Sequence, residues 1–138
     1  MTVRSPDVGR DALIDGFDFL GADDVVVESH VLLITEGASP TLSNNRVVAG
    51  RSATGTTRAL VVDADGSPDV RDNLIDGGQG ETDENRCGSV GVWVREGTLG
   101  PHLHANHIHG GSGAGRACGS VGVLIQGGAL LWSLDRAI

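Results

Sequence analysis

The chain has 138 residues, enough for one domain and too few for a second core. Glycine supplies 22 of them, more than twice the ordinary share, so turns are dense and long helices scarce. With 39% apolar residues the chain can bury a core, its formal charge of −8 repels phosphate and argues against nucleic acid, and its 3% aromatic content starves any stacking platform.

In chain order, the first segment, Met1 to Asp7, has no apolar run after Arg4 and does not read as a signal peptide. Export of the parent protein would therefore need a signal outside this chain. No stretch approaches the 18 apolar residues of a membrane span. A phrase then recurs. Ser39-Pro40-Thr41-Leu42-Ser43-Asn44-Asn45 aligns without a gap to Ser67-Pro68-Asp69-Val70-Arg71-Asp72-Asn73, and both align to Gly100-Pro101-His102-Leu103-His104-Ala105-Asn106. Each Asn leads into a β-branched position and then glycine, as in Ile75-Asp76-Gly77 and Ile108-His109-Gly110. Further on, Cys87-Gly88-Ser89-Val90-Gly91-Val92 repeats as Cys118-Gly119-Ser120-Val121-Gly122-Val123, with Ala59-Leu60-Val61-Val62 as a looser relative.

Inside each copy apolar residues alternate with polar ones over short runs bounded by Gly, Pro and Asn, the period of strands and not of helices. Helical repeats are excluded, and a propeller blade would need hairpin turns that the sequence does not supply. One coil per repeat, with equivalent strands stacked in parallel sheets, accounts for the pattern. The expected fold is all-β, a single parallel β-helix domain over 1–138. Its four coils fall roughly at 12–38, 39–66, 67–99 and 100–127, with a partial coil at 128–138, as a segment of a longer helix.

The Pro-x-Val-x-x-Asn-x-Ile-x-Gly-Gly phrase and the Ser-x-Gly-Val-x-Val return resemble the coils of right-handed parallel β-helix proteins of the pectin-lyase-like superfamily. Ile14-Asp15-Gly16-Phe17-Asp18-Phe19 is similar to an opening common in such coils. The resemblance spans roughly residues 12 to 127. It implies a right-handed coil and an extracellular or cell-envelope setting, and it leaves activity open, because the superfamily mixes lyases, hydrolases, epimerases, adhesins and coils without known chemistry.

Stacking gives each residue a neighbour about 4.8 Å away in the next coil. Asn45, Asn73 and Asn106 then form a corner ladder, whose left-handed backbone Asn tolerates. Leu42, Val70 and Leu103 point inward, as do Val47, Ile75 and Ile108, and Val62, Val94 and Ile125. Cys87 and Cys118 fall at the same place in successive coils, within reach of a disulfide in an oxidising compartment, the alternative being two buried thiols. A zinc site would need further ligands that the repeat does not place.

Four histidines, His102, His104, His107 and His109, alternate with inward Leu103 and Ile108 and so face out. Asp69 falls beside His102, Arg71 beside His104 and Asp76 beside His109. Imidazole beside carboxylate suits a divalent metal or acid–base work, and it equally suits solvated faces with surface ion pairs. The acidic loop Gly80 to Arg86 suggests calcium without the spacing of an EF-hand. Lyases of the superfamily set an outward basic residue beside calcium-binding acids. Arg95, with Asp63 and Gln126 as register neighbours, is the comparable position here, but the full set of acids is not recognisable. Trp93 faces outward and Trp132 falls above His104, either able to stack on a sugar.

The leading expectation is a non-catalytic extracellular or cell-envelope segment acting as a structural or binding surface, its partner a polysaccharide or another envelope component. The alternative is a polysaccharide lyase or glycoside hydrolase of the same fold. Open coil ends would favour end-to-end self-association. No resident cofactor is expected beyond the calcium considered for the acidic loop.

Overall fold

The computed structural model describes residues 1–24, 27–97, 99–127 and 133–135. Short strands of mostly three residues carry one inward apolar side chain between two outward polar ones, and Gly, Pro and Asn between them turn the chain through each corner. The result is a parallel β-solenoid of about four coils, all-β among the described residues.

Three sheets run along it. The first comprises β1 (Thr2–Arg4), β4 (Glu28–Thr35), β8 (Thr56–Val62), β12 (Cys87–Val94) and β15 (Cys118–Ile125), in that order. The second stacks β2 (Leu13–Asp15), β5 (Thr41–Ser43), β9 (Asp69–Arg71), β13 (His102–His104) and β16 (Ser133–Asp135). The third stacks β3 (Asp18–Leu20), β6 (Arg46–Val48), β10 (Leu74–Asp76) and β14 (His107–His109), and β7 (Arg51–Ser52) pairs with β11 (Gln79–Gly80) beyond it. Every pairing is parallel, with the register of the repeated phrases. β1, ahead of the first repeat, adds a strand that the repeat pattern does not signal; it pairs Thr2 with Leu33.

The core is a set of vertical columns. Leu42, Val70 and Leu103 are in register and buried, as are Val47, Ile75 and Ile108, and Leu60 and Val92 join Val62 and Val94 beneath the first sheet. Each such side chain contributes about 1.5–3 kcal/mol when fully buried. The strict alternation fails at one place in the long strands. Val31 and Leu32 both belong to the core, as do Ala59 and Leu60. Two consecutive inward residues bend the strand there and turn Arg58 and Val90 away from the core cluster.

The corner between second and third sheets is held by asparagine. Asn45, Asn73 and Asn106 are 3%, 3% and 2% exposed. Asn73 Oδ1 accepts from the Asn45 backbone N–H (2.9 Å) and from Asn45 Nδ2 (3.1 Å), and Asn106 Oδ1 accepts likewise from Asn73 (3.0 and 3.1 Å). The amides also donate across the corner, Asn45 to Ile14 O, Asn73 to Leu42 O and Asn106 to Val70 O, at 2.7–2.9 Å. In the first coil Phe17 holds the equivalent place, and its N–H donates to Asn45 Oδ1 (2.9 Å).

The left-handed backbone at this corner lies one residue earlier than the sequence suggests. Gly16, Asn44, Asp72 and Ala105 have φ of 74°, 52°, 55° and 53°, whereas the ladder asparagines do not have positive φ. The turn residue points to solvent, and that frees the next side chain to insert and bond along the column. At the following corner Gly111 has φ of 87° and passes so close to the preceding coil that a Cβ would collide with the Gly78 carbonyl, so only glycine fits.

Candidate binding groove and histidine pair

Beside the bend in the first sheet lies a groove of about 450 Å³, walled by Arg58, Arg86, Arg95, Trp93, Glu28 and Glu96 among others. Arg58 leaves the strand face where alternation breaks, and it is 2% exposed. Its Nη1 donates to Thr57 O (2.9 Å) and Gly88 O (3.5 Å), its Nη2 to Cys87 O (3.2 Å), and its Nε is buried without a partner. Burial pulls the Arg58 pKa below its ordinary value; the Glu28 carboxylate works against that shift and the neighbouring Arg86 cation adds to it. The group remains charged at neutral pH, because arginine starts from so high a value.

Two guanidinium groups lie over the Trp93 ring, Arg58 at 5.0 Å and Arg95 at 4.8 Å from its centroid. The indole N–H donates to Gln126 Oε1 (2.9 Å). The Trp93 ring thus already serves two cations, which a stacking sugar would have to displace. Arg95 meets Asp63 at 3.6 Å, and Arg86 bridges Glu28 (3.3 Å) and Glu84 (3.0 Å). Cys87, on the same wall, is joined to Cys118 by a disulfide with a Cα separation of 4.4 Å.

The structure therefore puts Arg95 beside Asp63, as the register implies, and adds Arg58, Arg86 and Glu28, which the sequence reading passed over. Arg58 carried a signal. It is a lone charge in Thr56-Thr57-Arg58-Ala59-Leu60-Val61-Val62, at the position where the two closer repeats have Val90 and Val121. Arg86 and Glu28 come from different coils, and nothing in the linear pattern brings them together.

The histidines separate into two pairs on two sheets. On the second sheet the backbone register sets His102 against Asp69 and His104 against Arg71. The side-chain contact runs diagonally, His104 Nε2 to Asp69 Oδ1 at 3.1 Å. On the other side of His104 the register partner is Asp135, which corrects the expectation of Trp132 at that position; Trp132 itself lies outside the described residues. The displacement follows from loop length, since His102 pairs with Ser133 and the following coil is longer than the first repeats. On the third sheet, His107 and His109 bring their Nε2 atoms to 2.7 Å with ring centroids 4.5 Å apart. His109 is in register with Asp76, whose Oδ1 accepts from the Gly78 N–H (2.8 Å). In the acidic loop, Glu84 is committed to Arg86. No group of three or more His, Cys, Asp or Glu side chains converges among the described residues.

These features define the class of protein as a parallel β-solenoid with an arginine-lined groove on the sheet of its longest strands. No protein-family model, curated protein or solved structure matches the chain.

Proposed function

We propose that the chain is a non-catalytic segment of a right-handed parallel β-helix of the pectin-lyase-like kind, working outside the cell or in the cell envelope, and that its groove binds an acidic saccharide. One observation carries this reading. Three of the ten cationic residues of a chain with charge −8 converge on one groove, where arginine forks suit carboxylate groups. The Cys87–Cys118 disulfide supports an oxidising compartment. The repeated Pro-to-Asn phrase supports the superfamily and its handedness.

The alternative, a lyase or hydrolase, draws on Arg95 beside Asp63 at the groove wall. Against it, Glu28 on the same wall is paired with Arg86, and among the described residues Asp63 is the one carboxylate in contact with Arg95. Calorimetric titration with oligogalacturonate and with a neutral oligosaccharide of equal length tests the proposal. Binding of the acidic oligomer alone, weakened at least about tenfold in Arg86→Ala/Arg95→Ala, is expected. Equal binding of both oligomers, or of neither, removes it. The same mixtures are assayed for new unsaturated or reducing ends, with and without calcium. Turnover lost in Arg95→Ala establishes the enzyme instead.

A further inference from the structure

We propose that His107 and His109 form a two-imidazole chelate site for a borderline divalent transition ion, of the class of Cu²⁺, Ni²⁺ and Zn²⁺. The site begins with strand geometry. Residues i and i+2 of a strand share one face, so the fold of β14 around buried Ile108 puts both imidazoles outward together. They do more than share a face, because their Nε2 atoms converge to 2.7 Å.

Imidazole nitrogens bind such ions at about 2.0–2.1 Å, so two of them on one ion at right or tetrahedral angles lie about 2.9–3.4 Å apart. The rings need to open by only a few tenths of an ångström to admit an ion. Without metal, one Nε2 donates its proton and the other accepts. Binding moves the donor's proton to its own Nδ1, so that both Nε2 lone pairs face the ion and no proton is lost from a neutral pair.

The surroundings favour a cation. Asp76, in register with His109, sets a carboxylate one strand spacing away. The nearest cation along the His107 column is Arg46, two coils away beyond Leu74, and its charge is met by Asp18 at 3.0 Å. Both histidines are exposed, which leaves room for water to complete the coordination. Two nitrogen ligands select borderline ions over calcium or magnesium, which take oxygen. The other pair lacks this geometry, since His104 Nε2 is engaged by Asp69 Oδ1 at 3.1 Å.

The test is calorimetric titration of tag-free full chain with Zn²⁺ and Ni²⁺, and electron paramagnetic resonance with Cu²⁺. One ion per chain and a two-nitrogen Cu²⁺ signal are expected. Loss of the chelate in His107→Ala or in His109→Ala should weaken binding at least about tenfold, while His102→Ala and His104→Ala leave it unchanged. Thermal melts of the apo variants confirm that each is folded. No uptake at about 100 µM ion, or uptake that survives His107→Ala/His109→Ala or disappears with His104→Ala, overturns the proposal.

Discussion

Two buried polar positions in this solenoid are built on opposite terms. At the corner between second and third sheets, each ladder asparagine has its carbonyl filled by a backbone N–H and its amide spent on a carbonyl of the preceding coil. On the outer side of the first sheet Arg58 is as deeply buried, has no carboxylate within bonding distance among the described residues, and keeps its Nε without a partner there. A satisfied buried amide stabilises the coil, whereas a buried cation met only by carbonyls costs desolvation that its neighbours offset in part. The difference separates scaffold from site: the asparagine corner repeats in three successive coils, and Arg58 occurs once.

Asn73→Ala should have the largest effect. It leaves the Asn45 N–H without its acceptor and removes the side-chain donor to the Leu42 and Arg71 carbonyls, all inside or beside a buried column. A loss of about 3–4 kcal/mol in urea unfolding is expected. A loss below about 1 kcal/mol would mean that the ladder does not hold the corner, and the contrast with Arg58 would fall.

Next in size is the covalent link on the groove side. Cys87 and Cys118 close a sequence separation of 31 residues, and in the chain-entropy model such a bridge contributes about 3.7 kcal/mol. Cys87→Ser/Cys118→Ser should unfold correspondingly earlier. Equal stability in oxidised and reduced protein would show that the groove side needs no cross-link.

A gain is expected at Ala105. Its φ of 53° puts an ordinary L-residue in the left-handed region, which costs about 1–2 kcal/mol. Glycine removes that strain and returns part of the benefit as unfolded-state entropy, so Ala105→Gly should stabilise by about 0.5–1 kcal/mol. The substitution also locates the corner's strain one residue before the asparagine, and a destabilised variant would contradict that placement.

Arg58→Met probes the other side of the comparison. Losing three carbonyl contacts and losing a poorly compensated buried charge act in opposite directions, so stability should stay within about 1 kcal/mol of the parent. Binding of the acidic oligomer should weaken, because Arg58 shares the Trp93 ring with the more exposed Arg95 and helps to place it. A penalty as large as that of Asn73→Ala would make Arg58 part of the scaffold.

The inner columns and the cysteine register were legible because they rest on spacing, and stacked coils convert equal spacing into contact. Ile125, expected inward above Val94, is 42% exposed, because spacing does not say which coil has a neighbour to cover it. Leu42, Val70 and Leu103 need nothing else to be placed. Arg58 was hidden by the period itself, since alternation from Leu60 assigns it to the core face and only the inward pair Ala59–Leu60 releases it. The Asn corner was read one residue late because Asn was credited with the left-handed turn, a task taken by Asn44, Asp72 and Ala105. His107 and His109 were legible as outward neighbours, but the convergence of their nitrogens depends on side-chain torsions that no spacing encodes.

The smallest expected effect lies at the edge of the same corner. Asp15 accepts from Ser43 Oγ (2.5 Å) and from Asn44 Nδ2 (2.8 Å). These two bonds hold its pKa below the ordinary 3.8; slight desolvation acts against them and Arg71 adds to them. Folded Asp15 therefore gives up its proton more readily than the unfolded chain. Its contribution to stability is complete above pH 3.8 and fades as the pH falls through the lower folded value. Asp15→Asn keeps an acceptor for Ser43 and cannot titrate. Its urea midpoint should thus decline less steeply than the parent's below pH 3.8, and the two should run parallel above it. Parallel curves throughout the acid range would show that the bonds of Ser43 and Asn44 to Asp15 are absent in solution, and that the polar order of the corner ends at its buried asparagines.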